Sequence, residues 1–220
     1  MIPGVRLVML GRQGAGKGTQ CTRLSRHYVV PHISTGDMLR SAVREGSELG
    51  KQAGDLMAAG ELVPDKIMIG IVEERLSQGD TTQRGYILDG FPRTPDQAEA
   101  LADITSARPL DVVIDLDVAQ EVVLERLAGR RMCNDCGANY SIEAPPKYGW
   151  VCDNCGGDVV QRDDDKPVAI ERRLAEYEAK TAPLVAWYQE RSLLEIVDGI
   201  GSTDQVLVRL VTIIDQRRGS

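Results

Sequence analysis

Gly11-Arg12-Gln13-Gly14-Ala15-Gly16-Lys17-Gly18-Thr19-Gln20 follows the apolar run Leu7-Val8-Met9-Leu10 and precedes residues with helical spacing. A buried strand, a glycine-rich turn and a helix start make a phosphate cradle. The glycines let successive backbone N–H groups point inward, and the helix N-terminus adds partial positive charge. Lys17 then reaches the outer phosphates of a nucleoside triphosphate. Gly18 stands where a Ser or Thr normally follows the lysine, and a hydroxyl comes one place later, at Thr19. The usual magnesium ligand is therefore not assumed. A glycine-rich turn that binds nothing would leave the strand, Gly14, Gly16 and Lys17 coinciding without a cause.

The rest of the chain narrows what such a site serves. Its 220 residues fit one domain with room for inserted subdomains, and 42% hydrophobic with 27% charged residues is the balance of a soluble globular protein. A net charge of −7 gives no general attraction to nucleic acid or anionic membranes, so any phosphate site must gather its arginines locally. No apolar run approaches a membrane span, and Met1-Ile2-Pro3-Gly4-Val5-Arg6 lacks a signal-peptide layout. These features lead us to expect a cytoplasmic protein that engages neither nucleic acid nor membrane. In that compartment five cysteines point to thiol or metal chemistry.

Strands and helices alternate along the chain. Strands are predicted around His32-Ile33, Tyr86-Ile87-Leu88-Asp89, Val112-Val113-Ile114-Asp115-Leu116 and Leu194-Glu195-Ile196-Val197. Helices are predicted over 19–27, 66–77, 94–102, 119–128 and 206–214, with a long helical stretch at 168–192 kinked or broken at Pro183. The alternation gives an α/β fold with a parallel, doubly wound sheet. Residues 41–60 are helical in pattern but interrupted by Gly46, Gly50, Gly54 and Gly60, which suits a small mobile subdomain.

Several positions invite two readings. Ser34-Thr35-Gly36-Asp37 matches a capping box, yet Arg40 on the same helix makes its N-terminus a second candidate anion site. Asp89, at a strand's C-terminal end, either holds a hydrated Mg²⁺ or pins the turn. Arg93 lies on the following loop, at the carboxyl edge where open α/β sheets bind ligands. Arg126 and Arg130, four apart, share a helix face, and on spacing alone that pair is solvated. Asp163-Asp164-Asp165 reads as a solvated charge run at a boundary.

Cys133-x-x-Cys136 and Cys152-x-x-Cys155 lie fifteen residues apart, the spacing of two knuckles around one tetrahedral Zn²⁺. Four protein thiolates leave no open position for activating water, so this zinc is structural. Cys21 reads as a small packed residue, and His27 and His32, without metal-spaced partners, as structural.

Taken together, the chain resembles adenylate kinase in its long form with a zinc-bearing lid. The match rests on residues 11–20, Ser34-Thr35-Gly36-Asp37-Met38-Leu39-Arg40, Asp89-Gly90-Phe91-Pro92-Arg93-Thr94 with Gln97, Gly129-Arg130-Arg131, the cysteine knuckles and Thr181-Ala182-Pro183-Leu184. The resemblance implies a P-loop NTPase-type sheet with helices on both faces, forming a core of residues 1–33, 64–129 and 168–220. It also implies a helical AMP-binding insert at 34–63 and a zinc lid at 130–167. The implied reaction is reversible transfer between Mg-ATP and AMP giving two ADP, in line and without a covalent intermediate, by a monomer. The implied cofactors are Mg²⁺ with ATP and the structural Zn²⁺.

Carried over by position, Gly14, Ala15, Gly16, Lys17, Gly18, Thr19, Arg130, Asn139, Tyr140 and Gly201 would contact ATP. Thr35, Arg40, Glu61, Leu62, Val63, Gly90, Phe91, Pro92, Arg93, Gln97, Arg162 and Arg173 would contact AMP. Lys17, Arg93, Arg126, Arg130, Arg162 and Arg173 would meet the transferring phosphates, and Asp89 a water-bridged Mg²⁺. This chain departs from the family pattern at Arg12 and Gln13, which replace small or proline residues, at Asn139, which replaces a hydroxyl residue, and at Ser141, where a His is common. Arg12 is expected to add charge near the nucleotides. Among relatives, UMP/CMP kinases carry Asn where this chain has Thr94 and have a shorter lid. Thr94 with Gln97 therefore favours AMP, because a carboxamide pairs with both donor and acceptor on adenine's edge. A GTP-using donor site, a nucleotide sensor and a nucleic-acid-binding zinc ribbon are the competing readings. The acidic charge argues against the last, and the retained lysine and arginines against the sensor.

Overall fold

The computed structural model describes residues 4–219; Met1-Ile2-Pro3, part of the N-terminal stretch read for a signal peptide, and Ser220 lie outside it. Five parallel strands form the main sheet: β1 (Arg6–Leu10), β2 (His32–Ser34), β3 (Tyr86–Asp89), β4 (Val112–Asp117) and β8 (Leu194–Asp198), in the order β2-β3-β1-β4-β8. Central β1 pairs Val8 with Leu88 on one side and with Val113 on the other. Because the chain runs from β1 outward in both directions, the crevice at its carboxyl end is the topological switch point where open sheets bind ligands.

Side chains along β1 alternate between two cores, as a strand's period of two requires. Leu7 and Met9 join the layer under α1 (Lys17–Tyr28), α7 (Gln120–Gly129) and α10 (Thr203–Gly219). Val8 and Leu10 join the layer under α4 (Asp65–Leu76), α6 (Pro95–Ile104) and α9 (Pro183–Glu190). Helices thus cover both faces. In α10 the buried positions Val206, Leu210 and Ile214 fall four apart, and in α1 Gln20, Cys21, Leu24 and Tyr28 make the matching stripe.

Between β2 and α4 the chain forms α2 (Thr35–Arg44) and α3 (Glu48–Ala59). Ser34 and Ser47 cap them, Gly46 lies between them and Gly60 ends α3 in the left-handed region, but α3 runs unbroken through Gly50, packed against the Ala42 backbone, and Gly54. A short α5 (Gly79–Arg84), absent from the sequence reading, buries only Thr81. Pro183 has the predicted effect in a specific form: α8 (Pro167–Glu176) passes through a π-helical turn, Tyr177–Thr181, before α9 begins at the proline.

Residues 130–160 build a second, antiparallel sheet: β5 (Arg130–Cys133) between β6 (Asn139–Ser141) and β7 (Val159–Val160). Its apolar cluster is Cys133, Cys152 and Val159 with half-buried Ala138 and Tyr140 against it, too little to hold itself together by apolar burial. Among the described residues no helix is long and apolar enough to cross a membrane.

Candidate active site

A cavity of 820 Å³ opens at the carboxyl edge of the main sheet, walled by the phosphate loop, α2, the loop after β3, β6 and the α8 region. The loop's course depends on Gly11, Gly14 and Gly16, whose φ values of 129°, 85° and 104° L side chains rarely adopt. A Cβ at Gly14 would also lie 2.8 Å from Leu127 Cγ. Lys17, at the start of α1, donates to the carbonyls of Gly11 at 2.7 Å and Arg12 at 2.9 Å. Burial, with Arg93 and Arg173 nearby, lowers its ammonium to about 8 despite the opposing pull of Asp89. Arg126 Nη1 donates to Ala15 O at 3.0 Å, tying α7 to the loop.

Arg12 lies elsewhere than expected. Its side chain is not part of the cavity wall; Nε donates to Glu178 at 2.9 Å and the guanidinium stacks over Tyr177 at 5.6 Å. Gln13 does reach the wall and donates to Arg173 O at 3.2 Å. Both departures from the family pattern thus fasten the phosphate loop to the segment carrying Arg173.

On the opposite wall Ser34 caps α2 by accepting from Asp37 N at 3.3 Å, while the Asp37 carboxylate pairs with Arg40. Arg93 Nε donates to Gly90 O at 2.7 Å, and burial together with Arg173 lowers its guanidinium to about 10. The Gln97 carboxamide accepts from Arg93 N and donates to Asp65 Oδ1, each at 2.7 Å. Asp65 Oδ2 also accepts from Thr94, so one carboxylate orients both Thr94 and Gln97. Asp65 was missed in the sequence because a helix-opening acid is explained by capping alone. Val63, Leu62, Glu61, Met57 and Met68 form a mostly apolar stretch of wall beside Gln97.

The third group of cations comes from the small sheet and α8. Arg130 is not on the face of α7 that carries Arg126. Gly129 ends that helix, and Arg130, with φ −65° and ψ 139°, starts β5 opposite Ser141. Its Nε donates to Asp165 Oδ2 at 2.7 Å. Arg173 Nη1 lies 2.9 Å from Asp164 Oδ2. Arg162 bridges to Asn139 Oδ1 at 3.2 Å, and burial with Arg130 and Arg40 lowers it to about 10. Of the Asp163–Asp165 run only Asp163 is solvated; Asp164 is half-buried and Asp165 is 1% exposed. Burial pushes the Asp164 carboxyl up, but Arg173, Arg130, Arg40 and Arg162 outweigh it and hold it below the usual range.

The cavity therefore gathers Lys17, Arg40, Arg93, Arg126, Arg130, Arg162 and Arg173 in a chain of net charge −7. Asp37, Asp164 and Asp165 offset part of that charge, and a polyanion is the kind of ligand such a set suits. Thr35, Gly90, Pro92, Asn139, Tyr140 and the loop residues Gly14, Gly16, Gly18 and Thr19 also face it. Three expected contacts do not: Ala15 and Phe91 are buried in the cores as framework, and Gly201 sits on the β8–α10 loop outside the wall.

Asp89 ends β3 with its Oδ2 3.4 Å from His32 Nε2. Burial raises its carboxyl, but His32 and Lys17 prevail and hold it below the ordinary value. An ionised oxygen ligand beside Gly18, where a side chain is lacking, fits a hydrated Mg²⁺. In the small sheet the Sγ atoms of Cys133, Cys136, Cys152 and Cys155 lie within 4.8 Å of one another, with Cys133–Cys155 and Cys136–Cys152 each at 3.5 Å. Thiolates about 2.3 Å from a tetrahedral Zn²⁺ would stand about 3.8 Å apart, so the set fits. Tyr140 Oη accepts from Asp153 N at 2.9 Å and contacts Cys152 Sγ at 3.4 Å, which lowers that thiol to about 6. The hydroxyl of Tyr140 is thus engaged with the knuckle, and its ring is what remains for a ligand.

The adenylate kinase family model matches residues 9–193. An adenylate kinase of Methanococcoides burtonii is 47% identical over 215 residues, covering 96% of this chain and 99% of the relative. Those of Thermodesulfovibrio yellowstonii (48% over 216 residues, 97% and 100% covered) and Citrifermentans bemidjiense (51% over 205 residues, 92% and 95%) are similar over nearly the same span. With a glycine cradle, a lysine and six arginines around one cavity, and relatives matched from end to end, the chain belongs to the adenylate kinase family.

Proposed function

We propose that the cavity holds Mg-ATP and AMP head to head and moves the terminal phosphoryl group between them in line, giving two ADP reversibly. The observation that carries this reading is the convergence of cations on one cavity: Lys17, Arg40, Arg93, Arg126, Arg130, Arg162 and Arg173 all line it, and Lys17 lies close enough to Arg93 and Arg173 to feel their charge. The acceptor is already an anionic phosphate oxygen, so no general base and no covalent intermediate are needed. Catalysis then consists of aligning two phosphates and stabilising the charge that spreads over the transferring group. Arg93 holds the AMP phosphate, the loop from Gly14 to Thr19 with Lys17 holds the ATP phosphates, and Gln97 with residues 61–63 takes the AMP base. Asp89 would hold Mg²⁺ through water, and the ion would supply charge withdrawal from the donor phosphates.

Residues 34–63 and 130–167 act as two covers, over AMP and ATP respectively. Their closure excludes water, for which the adenylate kinase lid is itself a standard case, so that the phosphoryl group passes to AMP and is not hydrolysed. Cys133, Cys136, Cys152 and Cys155 would hold Zn²⁺, which would give the second cover a fixed shape. Product balance tests the reading. Two ADP should appear per AMP consumed, with negligible inorganic phosphate; phosphate released from ATP without AMP would contradict it.

A further inference from the structure

Beneath the phosphate loop, three residues left unrelated by their sequence positions meet. Cys21 on α1, His32 on β2 and Asp89 on β3 bring a thiol sulfur, an imidazole nitrogen and a carboxylate oxygen within 4.8 Å of one another. Cys21 is fully buried, and the side chains of His32 and Asp89 are 16% and 12% exposed. His32 Nε2 is buried and makes no hydrogen bond among the described residues, although it faces Asp89 Oδ2 at 3.4 Å. Phosphoryl transfer uses neither Cys21 nor His32.

We propose that Cys21, His32 and Asp89 form a second metal site, selective for a thiophilic divalent cation of the zinc or cadmium class, whose occupation withdraws Asp89 from Mg²⁺ and inhibits the enzyme. One sulfur, one imidazole and one carboxylate suit such cations, whereas Mg²⁺ takes oxygen ligands and keeps its waters. For Mg²⁺ the cluster offers a single oxygen donor, the Asp89 carboxylate. A thiophilic cation forms a metal–sulfur bond as the thiol proton leaves to solvent. The resulting thiolate and carboxylate together balance its two charges. Ligand atoms must draw in from at most 4.8 Å to about 3.5 Å, a change within reach of side-chain rotation. Three protein ligands leave a fourth position for water or a phosphate oxygen. Asp89 itself lines the nucleotide cavity, giving the cation its entry.

The test uses the intact protein with its knuckle zinc in place. Dialysis against free Zn²⁺ without nucleotide, followed by metal analysis, should find about two zinc ions per chain, and about one in Cys21→Ala and in His32→Gln, because losing a direct ligand costs at least about tenfold in affinity. A melting curve of each variant confirms folding, and His32→Gln carries the test if Cys21→Ala does not fold. In the assay of ADP formation at fixed Mg²⁺, the Zn²⁺ concentration that halves the rate should rise at least about tenfold in a folded variant. One zinc per chain in the unaltered protein, or two in every folded variant, overturns the proposal, as does equal sensitivity to Zn²⁺ with and without Cys21. Metal counting needs no substrate, so its failure is distinguishable from a failure of the phosphotransfer reading.

Discussion

Arg130 grips Asp165 through both arms of its guanidinium, Nε to Oδ2 at 2.7 Å and Nη2 to Oδ1, in a pocket where the Asp165 side chain is wholly buried. Arg173 reaches the same Oδ1 at 3.4 Å. One carboxylate therefore positions two of the cations proposed to meet the transferring group. Removing a single charge from such a buried set leaves the others uncompensated, which costs more than an exposed pair would. Asp165→Asn is expected to lower stability by about 3 kcal/mol in denaturant unfolding of the zinc-loaded protein. A loss below about 1 kcal/mol would mean the pair behaves as a surface contact.

Lys17 makes the ligand-free enzyme sensitive to pH. Its folded value, about 8, lies below the ordinary 10.5, so the protonated form that attracts phosphate is lost as pH rises through about 8. ATP affinity should fall across that range, and Lys17→Met should flatten the profile while cutting turnover by orders of magnitude. Stability runs the opposite way. Between the two values the unfolded chain holds more protons than the folded one, so the cost of burying the ammonium is relieved as pH rises. Calorimetric titration with ATP from pH 7 to 9.5 checks the first point. A flat profile in the unaltered protein would remove Lys17 from phosphate binding.

Local chemistry made much of this legible, and distant pairing hid the rest. The phosphate loop, the central strands and the cysteine knuckles each carry their signal within a few residues. Arg130 was placed on the Arg126 helix face because i,i+4 spacing cannot reveal that Gly129 ends the helix. What recruits Arg130 to a strand is pairing with Ser141, eleven positions on. Asp165 looked solvated with its run for the same reason, its partner Arg130 lying 35 residues back. Gln97 was visible as a candidate for the adenine edge, but not Asp65, which orients it from another helix. Arg12 was expected near the nucleotides, and only the position of Glu178 and Tyr177 shows it drawn away.

Zinc removal separates scaffold from chemistry. With an apolar cluster as small as Cys133, Cys152 and Val159, the small sheet is expected to depend on the metal its four cysteines could hold, so chelation should lower the melting temperature and loosen residues 130–160 first. Hydrogen exchange with and without chelator would show where protection is lost. Equal stability accompanied by complete loss of turnover would instead make the metal part of the reaction.

Gln97 is 2% exposed, and its carboxamide already serves Asp65 and Arg93 N, leaving one N–H and one lone pair for a base. Gln97→Ala should raise the KM for AMP about tenfold or more, with a much smaller change for ATP. Equal losses for both substrates would mean the two nucleotide ends have been assigned the wrong way round.

The central claim concerns the acceptor, and a coupled assay of ADP formation addresses it directly. ATP is offered with AMP, CMP, UMP or GMP in turn. Rapid ADP formation from both nucleotides with AMP, and little reaction with the other three, is the predicted result. Preference for CMP or UMP, or tight ATP binding with no turnover on any acceptor, would contradict it.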